Sequence, residues 1–453
     1  MRSTADVVIC GAGIAGVAAA YHLAVRQNIS RVVLIDERDP LTLTSDKGTQ
    51  GYRNWWPGPD DTMLRFVSRS IDLLEETASE SGNAFRLNRR GYLFVTADES
   101  QVARFESTAQ QVSEFGMGPL RIHPGNAPYH AAPGDGFAGQ PIGADLLLGD
   151  EARRAFPYLA EDTAAALHVR RAGFVNAVAL GSWLLKRALA GGASFVRDRV
   201  QSVRTDGGRV REVQLASGDI VATDKFVIAA GPALADVGRL LDLELPVAHE
   251  LHAKMTFRDT RGAVRRDAPF VIWTDGMELD WSDEDREALA RHEETRRLIE
   301  PLAGGVHLRP VDLAHGDEVY LIWTFESDPR PYAWPPVFNP RYGDVLLRGI
   351  ARAIPGMAPY VSAQARGQVD GGYYCKTREN RPLVGPLPIE GAFVLGALSG
   401  FGVMAAHAAA ELLAIHVAEE PLPAHAKWFA PSRYDDADYC ALVERWGPLV
   451  GQL

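Results

Sequence analysis

Near its start the chain runs from a short apolar stretch into Gly11-Ala-Gly13-Ile-Ala-Gly16, and a second apolar stretch ends on an acid, Asp36. Residues 7–10 are continuous and apolar, as expected of a strand buried on both faces. Gly11 permits the tight turn out of that strand. Gly13 lets the backbone approach a pyrophosphate with no Cβ in the way, and Gly16 lets the next helix pack on the strand. The spacing predicts that helix over 14–25, so the free amides of Ile14 and Ala15 and the positive end of the helix dipole face the phosphates. Residues 31–35 read as the second parallel strand. Asp36 stands where a carboxylate accepts hydrogen bonds from a ribose, with Glu37 beside it. The competing reading, a glycine-rich structural turn, leaves the placement of the acid without a role.

At 453 residues the chain exceeds what one hydrophobic core usually serves, so two domains are expected. Its composition, 46% apolar and 23% charged, is that of a globular protein, and a net charge of −11 argues against a nucleic-acid partner. No apolar run is long enough to span a bilayer. The first strand begins too early to leave room for a signal peptide, so a cytoplasmic location is expected. Cys10, Cys375 and Cys440 are scattered, with neither metal-ligand spacing nor a disulfide framework.

Further along, 61–79 reads as a helix and 91–95 as a strand. The Gly/Pro-rich stretch 116–140 reads as a long loop, either a disordered surface insertion or a lid. A helix is expected over 181–190, a strand at 194–196, paired strands at 200–203 and 210–215, and an apolar strand 225–229 leading to Gly231. From 246 to 368 the pattern becomes strand-like and aromatic, at 254–257, 270–273 and 320–323. Within it 282–300 is a charged helix with a serine cap, read as a solvated insertion or a partner contact. The expected division places 1–90, 145–245 and 369–430 in a nucleotide-binding domain, 91–144 and 246–368 in a substrate domain, and 431–453 in a tail.

Late in the chain a strand at 392–396 meets Ser399-Gly400-Phe-Gly402-Val403-Met404 and then a helix. This second strand–turn–helix unit offers free amides to an electron-rich acceptor. Together with Gly11-x-Gly13-x-x-Gly16, Val227-Ile-Ala-Ala-Gly231 and Thr377-Arg-Glu-Asn-Arg-Pro382-Leu-Val-Gly385, it makes the chain resemble the FAD-dependent amine oxidoreductases. That family includes D-amino acid oxidase, glycine oxidase, sarcosine oxidase and dimethylglycine dehydrogenase. The resemblance implies an α/β fold: a Rossmann-like FAD-binding domain built from discontinuous segments, with a mixed, largely antiparallel sheet as substrate domain.

It further implies that Ser45, Thr49, Gln50 and Gly51 lie along the flavin, that the Val200 backbone meets the adenine, and that Gly400, Gly402, Val403 and Met404 form the flavin-edge turn. Where relatives carry a flavin-linking cysteine this chain has Gly372, so FAD is expected to be non-covalent. Two carboxylate-binding positions of relatives are here Met404 and Tyr374; a branch of the family also has tyrosine at the latter.

Flavin amine oxidation moves a hydride equivalent from the carbon beside nitrogen to the flavin, and needs no dedicated acid–base residue. Arg53 is the expected anchor for a substrate carboxylate, against a pyrophosphate contact or a surface ion pair. Trp55, Trp56 and Trp323 are expected either to wall a cation site or to pack in the core. Tyr373 and Tyr374 alternate along a strand, and Tyr374 is the one expected to face the flavin. Lys254 is a substitute for an oxygen-activating lysine, or a surface residue. The expected partners are a small amine substrate and either O2 or an electron-accepting protein. A subunit that only transfers electrons and a flavin hydroxylase are the alternative readings; the late turn has no acid of the kind the hydroxylases carry.

Overall fold

A computed structural model describes residues 1–124, 129–311 and 316–446. Among them a six-stranded sheet has the spatial order Ser194–Arg197, Val32–Asp36, Val7–Cys10, Phe226–Ile228, Ala392–Gly396, Leu383–Pro386. Its first five strands run parallel and the last pairs antiparallel. The central strand Val7–Cys10 is fully covered, which explains its unbroken apolar run. The helix after it runs over Ile14–Tyr21 and continues as a π-helical turn, His22–Arg26. It packs between the Ala177–Ala190 and Gly402–Ala418 helices.

A nine-stranded mixed sheet lies over this domain, in the order Gln368–Lys376, Ala248–Arg258, Glu318–Ile322, Val306–Pro310, Phe270–Trp273, Tyr92–Thr96, Ala165–Val169, Ala144–Leu148, Leu120–His123. Its two faces are distinct. Val271, Leu308, Leu321 and Met255 enter an outer core, while Phe270, Tyr92 and Phe94 turn inward against the first domain. The boundaries expected at 145 and 369 do not separate the sheets: Ala144–Leu148, Ala165–Val169 and Gln368–Lys376 all belong to the large one. Local pattern identifies a strand but not its partners.

The stretch 116–140 is fastened to the edge of that sheet rather than loose. It contributes the strand Leu120–His123, parallel to Ala144–Leu148. The Arg90 side chain donates to the Gly134 carbonyl (2.6 Å) and the Arg89 amide to Gly136 (3.1 Å). The Tyr129 hydroxyl reaches Asp145 at 3.2 Å. Residues 125–128 of this stretch, and 447–453 of the expected tail, lie outside the described residues.

The expected helix 282–300 is broken at His292 into Asp283–Ala290, Glu293–Arg296 and a 3-10 turn. Its serine cap is present, Ser282 Oγ accepting from the Asp285 amide at 3.1 Å. Leu289 and Leu298 are buried in the outer core, and Arg341 and Arg348 bracket the Trp281 ring. This segment is a packed flap of the large sheet. No helix among the described residues is long and apolar enough to cross a membrane.

One buried polar pair in the first domain carries a consequence. His22 and His407 meet at 3.2 Å, both buried, where the π-helical turn crosses the last long helix. Burial holds both imidazoles well below their usual pKa, His407 at about 3. Both are therefore neutral in the folded chain. Unfolding restores ordinary values, so below about pH 6.5 the unfolded state binds more protons and stability falls as pH falls. We expect the apparent melting temperature to drop steadily from pH 7 to pH 4.5, and His407→Phe to flatten that slope; equal slopes would refute this role.

Candidate functional site

The Rossmann-like turn is built by the absence of side chains. Gly11 has φ +113°, and a Cβ there would collide with the Ala229 carbonyl of the neighbouring strand. A Cβ on Gly16 would strike the Gly11 carbonyl oxygen, so helix and turn are in direct backbone contact. The Ala12 amide donates to Asp36 Oδ2 (2.7 Å) and the Arg38 amide to Oδ1 (2.9 Å), which aims the carboxylate across the turn. The Ile14 amide donates to Ser45 Oγ at 2.9 Å. These elements open onto a groove of about 1020 Å³.

Gly11, Gly13, Ile14, Ala15 and Asp36 border one end of the groove, and Ser45, Gln50, Gly51 and Gly231 its flank. Gly400, Gly402 and Val403 stand at the far end. Glu37 instead points out to Arg38 and Arg199, each at 3.9 Å. The Val200 side chain is buried in a core with Cys10 and Ile35, outside the groove lining. Thr49 turns its carbonyl away, to Arg309 Nε at 2.5 Å.

The far turn is held from behind. Ala397 and Ser399 both have positive φ, and the Ser399 hydroxyl is hydrogen bonded to Asn380. Asn380 belongs to the Thr377–Pro382 motif, which folds on itself through Thr377 Oγ1 and the Arg381 backbone (2.7 and 3.0 Å). Glu379 of that motif forms a buried ion pair with Arg433 at 2.7 Å. Late-chain residues therefore lock the turn that carries Gly400. Beside it Met404 Sδ accepts the Arg53 amide at 3.1 Å.

Gly51 and Arg53 share one face of the short strand Gly51–Arg53, and both meet Tyr92. The Tyr92 hydroxyl fills the space that a Cβ on Gly51 would need, and the Arg53 guanidinium lies 5.2 Å from the ring centroid. Tyr92 stacks on Phe270 at 4.4 Å, and His307 follows at 5.2 Å from Phe270. Burial holds His307 down at about 4, helped by the Arg53 charge. Tyr374 lies against Gly400 and stacks on His252 at 3.9 Å. Burial pushes the Tyr374 hydroxyl well above its usual value. His252 is in turn held by Glu250 at 2.9 Å. Tyr373 sits edge-on to Tyr332, its carbonyl accepting from Thr44 (3.0 Å).

The three tryptophans are not brought together. Trp55 packs at 5.7 Å from Phe94 and Trp56 at 5.0 Å from Phe401, both in the first core. Trp323 follows Val319 and Leu321 in the alternation, so it turns into the outer core, where its Nε1 donates to Ala303 (2.9 Å). Lys254 is no surface residue: it is buried, paired with Asp370 at 3.2 Å and lying 4.4 Å from the Tyr320 ring centroid. It does not border the groove. Burial lowers its pKa. His252, His307 and Arg309 stand on the inward face without having been singled out from the sequence. The alternation Val306-His307-Leu308-Arg309 in an apolar strand was the signal, since it aims two polar side chains at the interior.

The model of the DAO family, described as FAD dependent oxidoreductase, matches residues 6–415. The chain belongs to this family. FAD is thus its cofactor, and the groove fits it: two glycine cradles that a Cβ would fill, two helix N-termini and the Asp36 carboxylate. Among curated relatives, mitochondrial sarcosine dehydrogenase of Mus musculus is 24% identical over 264 residues, which is 56% of this chain and 25% of that protein. The sarcosine oxidase β subunit of Rhizobium meliloti is 25% identical over 55% of each chain. The matched region spans less than two thirds of the length of these relatives. Among solved structures, L-proline dehydrogenase from P. horikoshii has a TM-score of 0.72 at 18% identity, covering 96% of this chain and 99% of that one. The last is a likeness of fold.

Asp36→Ala removes the acceptor at the ribose end and frees the Ala12 amide. Loss of hydrogen bonds to a charged group, worth about 1.5–3 kcal/mol, weakens FAD binding roughly 10- to 150-fold. Titration of apoprotein with FAD, followed by flavin fluorescence, reads this directly; an unchanged Kd would assign the ribose elsewhere. The flavin is expected to leave intact on acid precipitation. Gly372 offers no thiol, and burial pushes the groove-side Cys375 thiol up to about 12. Yellow precipitate would refute this.

Proposed function

We propose that this chain oxidises the C–N bond of a primary or secondary amine, with an N-substituted amino acid as the favoured substrate class. The observation that supports this best is the placement of Arg53. It shares a strand face with Gly51, which borders the groove, so its guanidinium stands just beyond the flavin-edge end, over Tyr92. FAD, when bound, takes up a hydride equivalent from the carbon attached to nitrogen, leaving an imine that water hydrolyses to a carbonyl compound and ammonia (from a primary amine) or an amine (from a secondary one).

The residues of the chain orient and shelter the substrate. Arg53 holds a carboxylate through its planar fork. Tyr92, Phe270 and His307 wall the space from the large sheet. His307 stays neutral, so it adds no second cation beside Arg53. Tyr374, kept protonated by burial, is a hydrogen-bond donor rather than a base. Lys254 acts through the flavin-lining segment 44–51, towards whose Asp46 carbonyl its Nζ points at 3.5 Å. The electrons leave to O2 or to an electron-accepting protein; air reoxidation of the reduced protein, alone and with lysate, separates the two.

Anaerobic bleaching of the bound flavin by a panel of amines tests the reaction. Absence of bleaching by every primary, secondary and N-methylated amino acid in the panel would refute it. Removing a buried partner of a charged group costs about 2–5 kcal/mol, so Arg53→Ala should raise the half-saturating concentration of a carboxylate-bearing amine roughly 30-fold or more. Lysine should rescue only partly. A variant purified without flavin would make Arg53 a cofactor residue, and normal oxidation would place the carboxylate elsewhere.

A further inference from the structure

The large sheet is split next to the site. The Ala248–Arg258 and Glu318–Ile322 strands pair from Arg258↔Glu318 to Met255↔Leu321 and then part. Each keeps its other neighbour: Ala248–Arg258 stays paired with Gln368–Lys376 down to Ala248, and Glu318–Ile322 with Val306–Pro310 up to Ile322. Backbone groups exposed by the parting find partners across it, the His249 carbonyl accepting the Arg330 amide at 2.8 Å. The Tyr342 hydroxyl donates to the Ala253 carbonyl and accepts the Trp323 amide at 3.3 Å. On the inward side the Thr324 hydroxyl spans the same gap to His252 Nδ1, at 3.3 Å.

Between the two bridges lies a small cavity, bordered by Leu251, His252, Trp323, Thr324, Arg330 and Phe338. Its inner wall is two rings thick: His252 borders the cavity and stacks on Tyr374, which borders the groove. Its rim carries both charges, with Asp328 3.7 Å from Arg297. Arg297 and Glu326 neutralise each other at 2.5 Å, whereas Arg330 has no ion pair among the described residues.

We propose that this split is the passage by which a small amine bearing a carboxylate reaches the flavin, with Arg330 drawing the carboxylate in and the His252–Tyr374 pair as its inner door. The proposal rests on the reaction proposed above. Tyr342 keeps the passage open while pairing the Ala253 carbonyl and the Trp323 amide, and the Arg330 guanidinium opposes the repulsion that the overall charge of −11 exerts on an anion.

Anaerobic stopped-flow reduction of the holoenzyme by sarcosine, L-proline and iminodiacetate, each beside its methyl ester, tests this. Arg330→Ala should raise the half-saturating concentration of the reactive acid about 10-fold and lessen its dependence on salt, leaving the limiting rate and the ester unchanged. Thr324→Trp, which narrows the gap at an exposed position, should slow reduction by acid and ester alike with the flavin spectrum unaltered. If acids bleach the wild-type flavin but Arg330→Ala behaves as wild type, or affects acid and ester equally, the passage is wrong and the proposed reaction stands. If Thr324→Trp slows only reoxidation by O2, the split carries oxygen and the proposal fails. If none of the probes bleaches the wild-type protein, both are overturned.

Discussion

The contact on which the rest of the structure depends is between backbone and backbone, where the Ile14–Tyr21 helix rests on the Gly11 carbonyl and Gly11 rests on the strand ending at Ala229. A methyl group at either glycine would push helix and sheet apart. Their closeness sets the helix N-terminus over the groove, and it leaves the Ala12 amide within reach of Asp36. Three segments far apart in sequence, around residues 11, 36 and 229, thereby form one wall. The far wall repeats the principle: Gly400 has no Cβ because the Tyr374 ring occupies that space. A flat cofactor needs backbone at both ends, and glycine is the residue that supplies it.

Much of this was legible in the sequence because it depends on local chemistry. The strands Phe270–Trp273 and Ala392–Gly396 fall where apolar runs place them. The glycine fingerprint marks the groove because each glycine answers a local steric demand. What was not legible is non-local. Apolar alternation at 144–148 and 165–169 says that a strand exists, not that it joins the sheet over the flavin. The stretch 116–140 looked like a loop because an edge strand needs little apolar character, and arginines at positions 89 and 90 hold it from outside. Of the two readings open for Trp323, a cation-site wall or core packing, strand parity selects the core. The same parity turns the polar His307 and Arg309 inward within an apolar alternation.

The charges of the large-sheet layer converge on the groove-lining segment 44–51. Ser45, Gly48 and Gln50 border the groove, while the Asp46 carbonyl, the Lys47 side chain and the Thr49 carbonyl turn to the sheet above. There Asp370 receives both Lys254 (3.2 Å) and Lys47 (3.5 Å), and the Arg309 guanidinium lies between the Phe174 and Tyr320 rings. Buried ions are costly unless paired, and removing one partner leaves the other unsatisfied. The segment is thus fixed from the substrate side as well as from the nucleotide domain, where Ser45 accepts the Ile14 amide and Gln50 accepts the Ala177 amide. Lys254, buried within this arrangement, belongs to its support.

That arrangement ties the two layers together mechanically. The segment 44–51 is continuous with the strand that carries Arg53, whose amide is held by Met404 of the far turn. A shift of the large sheet would therefore reach the groove-lining segment through Arg309 and Thr49, and the far turn through Arg53 and Met404. The split beside His252 lies in that same sheet, between strands held together elsewhere along their length. Opening at the His252–Tyr374 stack need not disturb the ion pairs at Asp370, because Lys254 lies nearer the paired end of its strand. The sheet combines a paired half that holds the groove-lining segment with a parted half beside the His252–Tyr374 stack. The division falls at Met255, where strand pairing gives way to a single tyrosine hydroxyl.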